Sequence, residues 1–361
     1  MLEEHVLARL QPAHILAHYR ALVWPIVERH LQDPPYPGTF QVPDAYSRER
    51  DLHWRTVSEY PVRQGKYLRA ALLVLSCAAM GGEEQQALTT AAAMQLAEEW
   101  MLVHDDLEDG STQRRGKPTL HCMYGPELAV NAGDTLHALM WGLLLENKDV
   151  LGLQLAYRVL EEFYRMILRT TLGQSVELQW TVANTTTLSD EDWFFLSDGK
   201  AGFYTIGAPL RLGALIAGAG ARELEALSGF GVPLGRCFQL VDDLLDVSGD
   251  FQGLKGQRGS DIYEGKRTVL LAHLLRSICG PDRTRLLSIM AKCREEKTEE
   301  EVEWIIDKMQ QHGSIAHARG LARACKDEAE TMFRGDLTFL FRQPARDRLE
   351  ALIHFVMERD H

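Results

Sequence analysis

Apolar positions along this chain recur at intervals of three and four residues far more often than they alternate, a pattern that predicts helices nearly throughout. Residues 65–82, GKYLRAALLVLSCAAMGG, carry an apolar stripe that stops at Gly81 and Gly82. Residues 87–110, ALTTAAAMQLAEEWMLVHDDLEDG, form a longer Ala-rich helix ending at Gly110. Ser189, three residues before Asp192, makes a near capping box and opens a further helix. Residues 227–250, LSGFGVPLGRCFQLVDDLLDVSGD, read as another apolar helix that ends in acids, and 281–358 as about four shorter amphipathic ones. Val/Ile/Thr alternation and Asn-Gly or Asp-Gly hairpin turns are nearly absent, so the fold class expected is all-α.

One region breaks the helical pattern. LQDPPYPGTFQVPD, residues 31–44, contains four prolines and cannot continue a helix. No flexible linker, composition shift or short-period repeat divides the remainder. The expectation is therefore one domain over 1–361: an N-terminal helix and Pro-rich loop over 1–60, a core over about 60–270, and C-terminal helices over 271–361.

Charge and cysteine usage narrow the function classes. A net charge of −12 argues against a general nucleic-acid surface, which needs clustered Lys and Arg. Six scattered cysteines without a C-x-x-C pair read as reduced thiols in a cytoplasmic protein. The N-terminus, MLEEHVLARLQPAH, has no signal-peptide apolar core, and the most apolar run, ALMWGLLL at 138–145, is far short of a membrane span. The expectation is a soluble protein with no transmembrane segment.

Two acidic motifs carry the candidate chemistry. DDLED gives Asp105, Asp106, Glu108 and Asp109; DDLLD, 137 residues later, gives Asp242, Asp243 and Asp246. Both have the form D-D-x-x-D and both follow apolar helical sequence. The first and last Asp of each, four apart, share a helix face one turn apart. One acidic cluster alone is ordinarily a solvated helix end, and the C-terminal end is the wrong end for acids on dipole grounds. Two copies on apolar helices point instead to a cleft walled by carboxylates, whose hard oxygens suit Mg²⁺ shared with substrate phosphates. Selected cations accompany them: Lys66 and Arg69 after Gly65, placed on one helix face; Arg114 and Arg115; Lys200; Lys266 and Arg267. Singly each reads as a surface charge. Jointly they suit more than one highly charged phosphate.

Taken in order, GKYLR, LVHDDLEDGSTQRRGKP, GKAGFYTIGAPLRLGALIAG, FQLVDDLLD and GSDIYEGKRT resemble the trans-isoprenyl diphosphate synthases, over roughly 60–270. The resemblance implies an isoprenoid synthase-type helical bundle around a deep central cavity, in a homodimer. It implies condensation of isopentenyl diphosphate with an allylic diphosphate (dimethylallyl, geranyl or farnesyl), with three Mg²⁺ per site, replaceable by Mn²⁺. Asp105, Asp109 and Asp242 would hold the metal, with Asp106, Asp243 and Asp246 in support. Arg114, Lys200 and Lys266 would bind the allylic diphosphate, and Lys66, Arg69 and Arg115 the isopentenyl one. Gln239 would line the site beside the developing cation.

This chain departs from that pattern in places. Glu98 stands where the family has His or Gln for the isopentenyl site; for a conventional site it has to turn away or pair with Lys66 or Arg69. Ala201 replaces the Thr that follows Lys200. Lys255, a further diphosphate contact by resemblance, sits one place off its spacing to the downstream Gly-x-Asp. The C-terminus, FVMERDH, lacks the basic tail of some farnesyl synthases. Product length is set in the family by residues just before the first Asp, here Trp100 and Met101, with Ala97 a turn deeper. One ring and one flexible Met imply a C20 product, geranylgeranyl diphosphate, with C15 farnesyl diphosphate as the alternative. A class I terpene cyclase and a catalytically silent partner subunit are the other readings. DDLLD and GKYLR favour two diphosphates over the cyclase, and two whole motifs favour activity over silence.

Overall fold

The computed structural model describes residues 10–248 and 257–357. Helices α1 (Pro12–His30), α2 (Ser47–Val62), α3 (Leu68–Met80) and α4 (Glu84–Glu108) are followed by two short strands, β1 (Gln113–Arg114) and β2 (Lys117–Pro118). Then come α5 (Leu120–Tyr124), α6 (Pro126–Leu151), α7 (Leu153–Val182) and α8 (Asp190–Ser197). A π-helical segment, Asp198–Gly207, runs into α9 (Ala208–Ile216), followed by α10 (Ala221–Ser248) and α11 (Ser260–Glu264). The chain continues through α12 (Val269–Ser277), α13 (Gly280–Met290), α14 (Glu299–Gln311), α15 (Ser314–Gly335) and α16 (Ala345–Met357). The all-α expectation holds, and the helix stops follow the sequence signals. α3 ends before Gly81 and α4 before Asp109 and Gly110. Ser189 Oγ accepts from Asp192 N at 3.2 Å while Asp192 accepts from Ser189 N at 2.8 Å, completing the capping box.

Two features were not expected. The strands pair antiparallel through a two-residue turn, Arg115 (φ 52°) and Gly116 (φ 74°). Positive φ at both central residues is the geometry of the tight hairpin turn, reached here through Arg-Gly. α6 extends well beyond residues 138–145 and is the one helix among the described residues long and apolar enough to cross a membrane. It nonetheless carries Glu127, Asp134, Glu146, Lys148 and Asp149.

The described residues form two compact units, each assembled from three stretches of chain. The first draws on the described residues up to Glu162, on Pro209–Gly220 and on Leu340–Leu352; the second on Phe163–Ala208 and on the described residues of 221–339 and 353–357. In the first, α3 is buried on all sides, from Leu72 and Leu73 to Cys77. It is apolar all round because no face meets water. Each Leu so buried contributes about 1.5–3 kcal/mol. Ser76 Oγ donates to Leu210 O at 2.7 Å, tying α3 to α9. The second unit centres on α10, whose buried side includes Phe230, Leu234, Leu240 and Val241.

Candidate functional site

In the first unit the acidic motif lies at the end of α4. Asp105 and Asp109 are partly exposed, and the Asp109 N–H donates to Asp105 O at 2.9 Å. Asp106 is fully buried. It accepts from the Tyr60 hydroxyl at 2.5 Å and from Arg114 Nε at 3.0 Å, with a second Arg114 contact through the terminal nitrogen. Burial raises the Asp106 carboxyl above its usual range, opposed by Arg114 and the Tyr60 hydroxyl. Burial works against the Arg114 charge too, and Asp106 more than offsets it. Asp105 stays 3.8 Å from Arg114. The motif thus divides into an outer i,i+4 carboxylate pair and an inner carboxylate that holds the hairpin. Arg63 fixes the same hairpin from α2, donating to Arg114 O at 2.9 Å and Pro118 O at 2.8 Å.

A second group of charges lies beside it. Arg115 donates to Glu99 at 2.9 and 3.1 Å and to Tyr60 O at 3.1 Å. A Cβ at Gly65 would stand 2.5 Å from the Arg115 guanidinium, so a larger residue there would push that side chain aside. Glu98 lies 3.1 Å from Arg69 and 3.8 Å from Arg115. Of the two pairings foreseen for Glu98, the Arg69 one is present, and Arg115 joins it. Burial pushes the Glu99 carboxyl up, against the opposing pull of Arg115. The expected placement of Lys66 on the helix face with Arg69 is corrected. α3 begins at Leu68 after Tyr67 in the left-handed region (φ 60°), so Lys66 precedes the helix, exposed.

The residues singled out for product length sit one turn earlier on α4. Ala97 is fully buried, Trp100 is 8% exposed and Met101 is half-buried. Trp100 is held from α6: its ring stacks on His137, centroids 4.0 Å apart and planes at 19°. Trp141 Nε1 donates to His137 Nε2 at 2.9 Å, which requires that nitrogen unprotonated. Burial lowers the His137 pKa and favours that neutral state.

In the second unit Lys200 lies within the π-helical segment. It donates to Gln174 and Glu177, both on α7. The segment rests directly on α10: a Cβ at Gly235 would be 2.2 Å from Gly202 Cα, and one at Gly231 2.8 Å from Gly207 Cα. Glycines there let two backbones touch, which fixes Lys200 relative to the acids further along α10. Among those acids Asp242 is half-buried, while Asp243 and Asp246 are buried. Gln239 Nε2 donates to Asp243 Oδ1 at 2.8 Å. Asp246 accepts the Asp261 N–H at 3.1 Å, at the start of α11, and so anchors the loop that carries Lys266. Lys266 pairs with buried Glu264 at 2.9 Å, and Glu264 pairs with Arg294 at 2.9 Å. Arg267 is buried and donates to Thr185 O and Asn184 Oδ1. Lys255 lies outside the described residues.

The donor chemistry fits Mg²⁺. The first motif presents Asp105 and Asp109 four residues apart beside buried Asp106, which Arg114 holds; the second presents half-buried Asp242 ahead of buried Asp246, which the Asp261 N–H holds. Among the described residues no group of three or more His, Cys, Asp or Glu side chains forms a ready-made metal cage. Mg²⁺ does not need one, because it keeps waters and completes its shell with substrate phosphates. Sequence reasoning passed over Tyr60, Arg63, Glu99, Gln174, Glu177 and Glu264, the residues that orient the predicted cations and acids. The available signal was polarity in apolar context: Glu99 falls on the Ala-rich stripe, and Gln174 and Glu177 in GQSVE on α7.

Comparison with known proteins gives a consistent result. The family model described as polyprenyl synthetase matches residues 53–309. A short chain isoprenyl diphosphate synthase of Methanothermobacter thermautotrophicus is 30% identical, over 82% of this chain and 87% of its own. A geranylgeranyl pyrophosphate synthase of Geoglobus acetivorans is 30% identical, over 85% of this chain and 91% of its own. Among solved structures, geranylgeranyl pyrophosphate synthetase from Pyrococcus horikoshii superposes with a TM-score of 0.79 at 28% identity, covering 96% of this chain and 98% of that one.

Proposed function

Because the chain belongs to the polyprenyl synthetase family and is a prenyltransferase with the isoprenoid synthase fold, we propose that it condenses isopentenyl diphosphate with an allylic diphosphate to give geranylgeranyl diphosphate. The observation that carries this reading is the repeated design of the two acidic motifs. Each has at least one carboxylate open to solvent, Asp105 and Asp109 in the first and Asp242 in the second, and a buried one tied to the segment that bears a candidate diphosphate-binding cation: Asp106 with Arg114, and Asp246 with the loop of Lys266.

In this reading Asp105, Asp109 and Asp242 hold Mg²⁺, three ions per site with substrate bound and Mn²⁺ as a substitute. Mg²⁺ held there would supply the charge neutralisation that the leaving diphosphate needs as the allylic C–O bond breaks. Arg114, Lys200 and Lys266 bind the same diphosphate. Their present partners Asp106, Glu177 and Glu264 keep them aimed before substrate arrives. Gln239, steadied by Asp243, lies beside the cation that develops. Lys66, Arg69 and Arg115 bind isopentenyl diphosphate, whose double bond attacks that cation. The new C–C bond forms, a proton leaves, and the released diphosphate takes it. No protein nucleophile or side-chain base is assigned.

The protein works in this reading as one catalytic domain in a soluble, cytoplasmic homodimer. Tyr157, Tyr164, Leu168 and Leu172 on α7 and Leu145 on α6 are more than half exposed and suit a second copy as partner. C15 farnesyl diphosphate is the alternative product. The test is elongation of each allylic primer with radiolabelled isopentenyl diphosphate and Mg²⁺. The expected outcome is C20 from dimethylallyl, geranyl and farnesyl primers, lost by orders of magnitude in Asp105→Ala and Asp242→Ala while circular dichroism stays helical. Cyclised product without elongation, or near-normal turnover in either variant, overturns the assignment.

A further inference from the structure

We propose that Glu98 is an internal counter-anion of the second diphosphate site, seated where isopentenyl diphosphate binds between Arg69 and Arg115, and that it sets the affinity for that substrate. This rests on the function proposed above and concerns a residue in which the chain departs from its family's pattern.

Two adjacent carboxylates on α4 meet the same guanidinium in different ways. Glu99 is completely buried and fully engaged, accepting from Gln95 Nε2 at 2.8 Å and from Arg115 at 2.9 and 3.1 Å. It is part of the framework. Glu98 is held by charge alone. Its Oε2 is buried 3.1 Å from Arg69, yet accepts no hydrogen bond among the described residues. Its other oxygen is 3.8 Å from Arg115. A carboxylate 3.1 and 3.8 Å from two guanidiniums occupies the kind of position a bridging phosphate takes, but without the hydrogen bonds that a fitted ligand makes.

The surroundings carry further unmet polar groups. The hydroxyl of Tyr67 and Oε1 of Gln95 are buried and make no hydrogen bond among the described residues. Tyr67 feels Glu99, Glu98, Arg115 and Arg20. Buried polar atoms are seldom left so unless something else serves them, and here they collect around one charge cluster. Arg69 and Arg115 are already balanced by Glu98 and Glu99. An incoming diphosphate therefore meets two guanidiniums whose charge is spoken for, and Glu98 is the member free of hydrogen bonds that can give way. In this chain the diphosphate has to displace a resident anion.

The experiment uses the full chain. Binding of isopentenyl diphosphate is measured by calorimetry for wild type, Glu98→Gln and Glu98→Ala, alongside steady-state kinetics with saturating allylic diphosphate and Mg²⁺. Both variants are expected to lower Kd and KM for isopentenyl diphosphate about tenfold, equivalent to about 1.4 kcal/mol. The kcat and the KM for the allylic substrate should stay as in wild type. The Ala variant separates loss of an anion from gain of a donor. If Gln tightens binding while Ala does not, the effect comes from the new amide and the proposal fails. Unchanged or weaker binding in both variants also overturns it, and shows that Glu98 organises the arginines. If neither wild type nor variants bind isopentenyl diphosphate, the two-diphosphate reading itself falls, and this one with it.

Discussion

Arg115 lies 2.9 Å from Oε2 of Glu99, a carboxylate with no exposed surface, while its own backbone is held at φ 52°. A non-glycine residue in the left-handed region stores strain, typically about 1–3 kcal/mol, and persists only where contacts over-determine it. Glu99, Tyr60 O and the empty space above Gly65 are those contacts. Removing one partner of a buried pair leaves an uncompensated charge. Glu99→Gln is therefore expected to cost about 3 kcal/mol of stability in urea unfolding and to weaken isopentenyl diphosphate binding. A variant as stable as wild type would show that Arg115 is placed by the hairpin backbone alone.

Gly235 tests how α10 positions Lys200. A Cβ there meets Gly202 Cα at 2.2 Å and Gly202 N at 2.5 Å, backbone atoms that cannot swing aside. Gly235→Ala is expected to destabilise by about 1–3 kcal/mol or more through overpacking. It should also raise the KM for the allylic diphosphate, because Lys200 is two residues from the contact. Gly320→Ala, at an open and exposed helical position on α15, should instead be neutral or gain up to about 1 kcal/mol. Denaturation midpoints of the two variants provide the comparison.

These contacts also mark where sequence reasoning stopped. The ends of α3 and α4, the Ser189 capping box and the position of both acidic motifs near the C-terminal ends of long helices are written in residues close together in the chain, and all are legible there. The π-helical path around Lys200 is not local. It depends on Gly202 and Gly207 meeting Gly231 and Gly235 of α10, a contact between distant segments. The helical spacing of GKYLR puts Lys66 on the helix, but Tyr67 takes a left-handed conformation that spacing does not reveal. The turn at Arg115 and Gly116 lacks the Asn-Gly or Asp-Gly signal, and its reason is the distant carboxylate of Glu99. Counter-ions such as Glu177 and Glu264 lie on apolar or short helices where a lone acid reads as a surface charge.

Lys297 links the loop of Lys266 to pH. It is 6% exposed and donates to Tyr263 O at 2.8 Å. Burial, with Arg267 and Arg294 close by, pulls its pKa down to about 8, against about 10.4 in an unfolded chain. Between those values the unfolded state binds more protons than the folded one, so stability rises with pH across that window. Below it the full cost of burying the charge is present. Wild type is expected to gain urea resistance from pH about 8 to pH about 10.4 relative to Lys297→Met. Parallel curves for the two proteins would mean that the ammonium stays charged in the fold.

The proposed C20 product puts Trp100 at the stop for chain growth, and that role is open to a direct test. Its ring lies flat against His137, which in turn accepts from Trp141, so it is braced from behind and cannot tilt away from a growing tail. Met101 beside it is half-buried and flexible, and Ala97 a turn deeper adds no bulk. One helical turn rises about 5.4 Å, comparable to one isoprene unit, so a single bulky position changes the outcome by about one condensation. Trp100→Ala removes the brace's front face and is expected to cost about 3–5 kcal/mol of stability. Its effect on chemistry is separate and is read from radiolabelled products by chain length. With Trp100 as the floor, products move beyond C20 while the rate of the first condensation is retained. His137→Ala leaves the indole in place without its backing and should give a mixture, with C20 still present and longer chains added. Unchanged product lengths in both variants would put the stop elsewhere in the chain and reduce Trp100 to an ordinary core residue of α4.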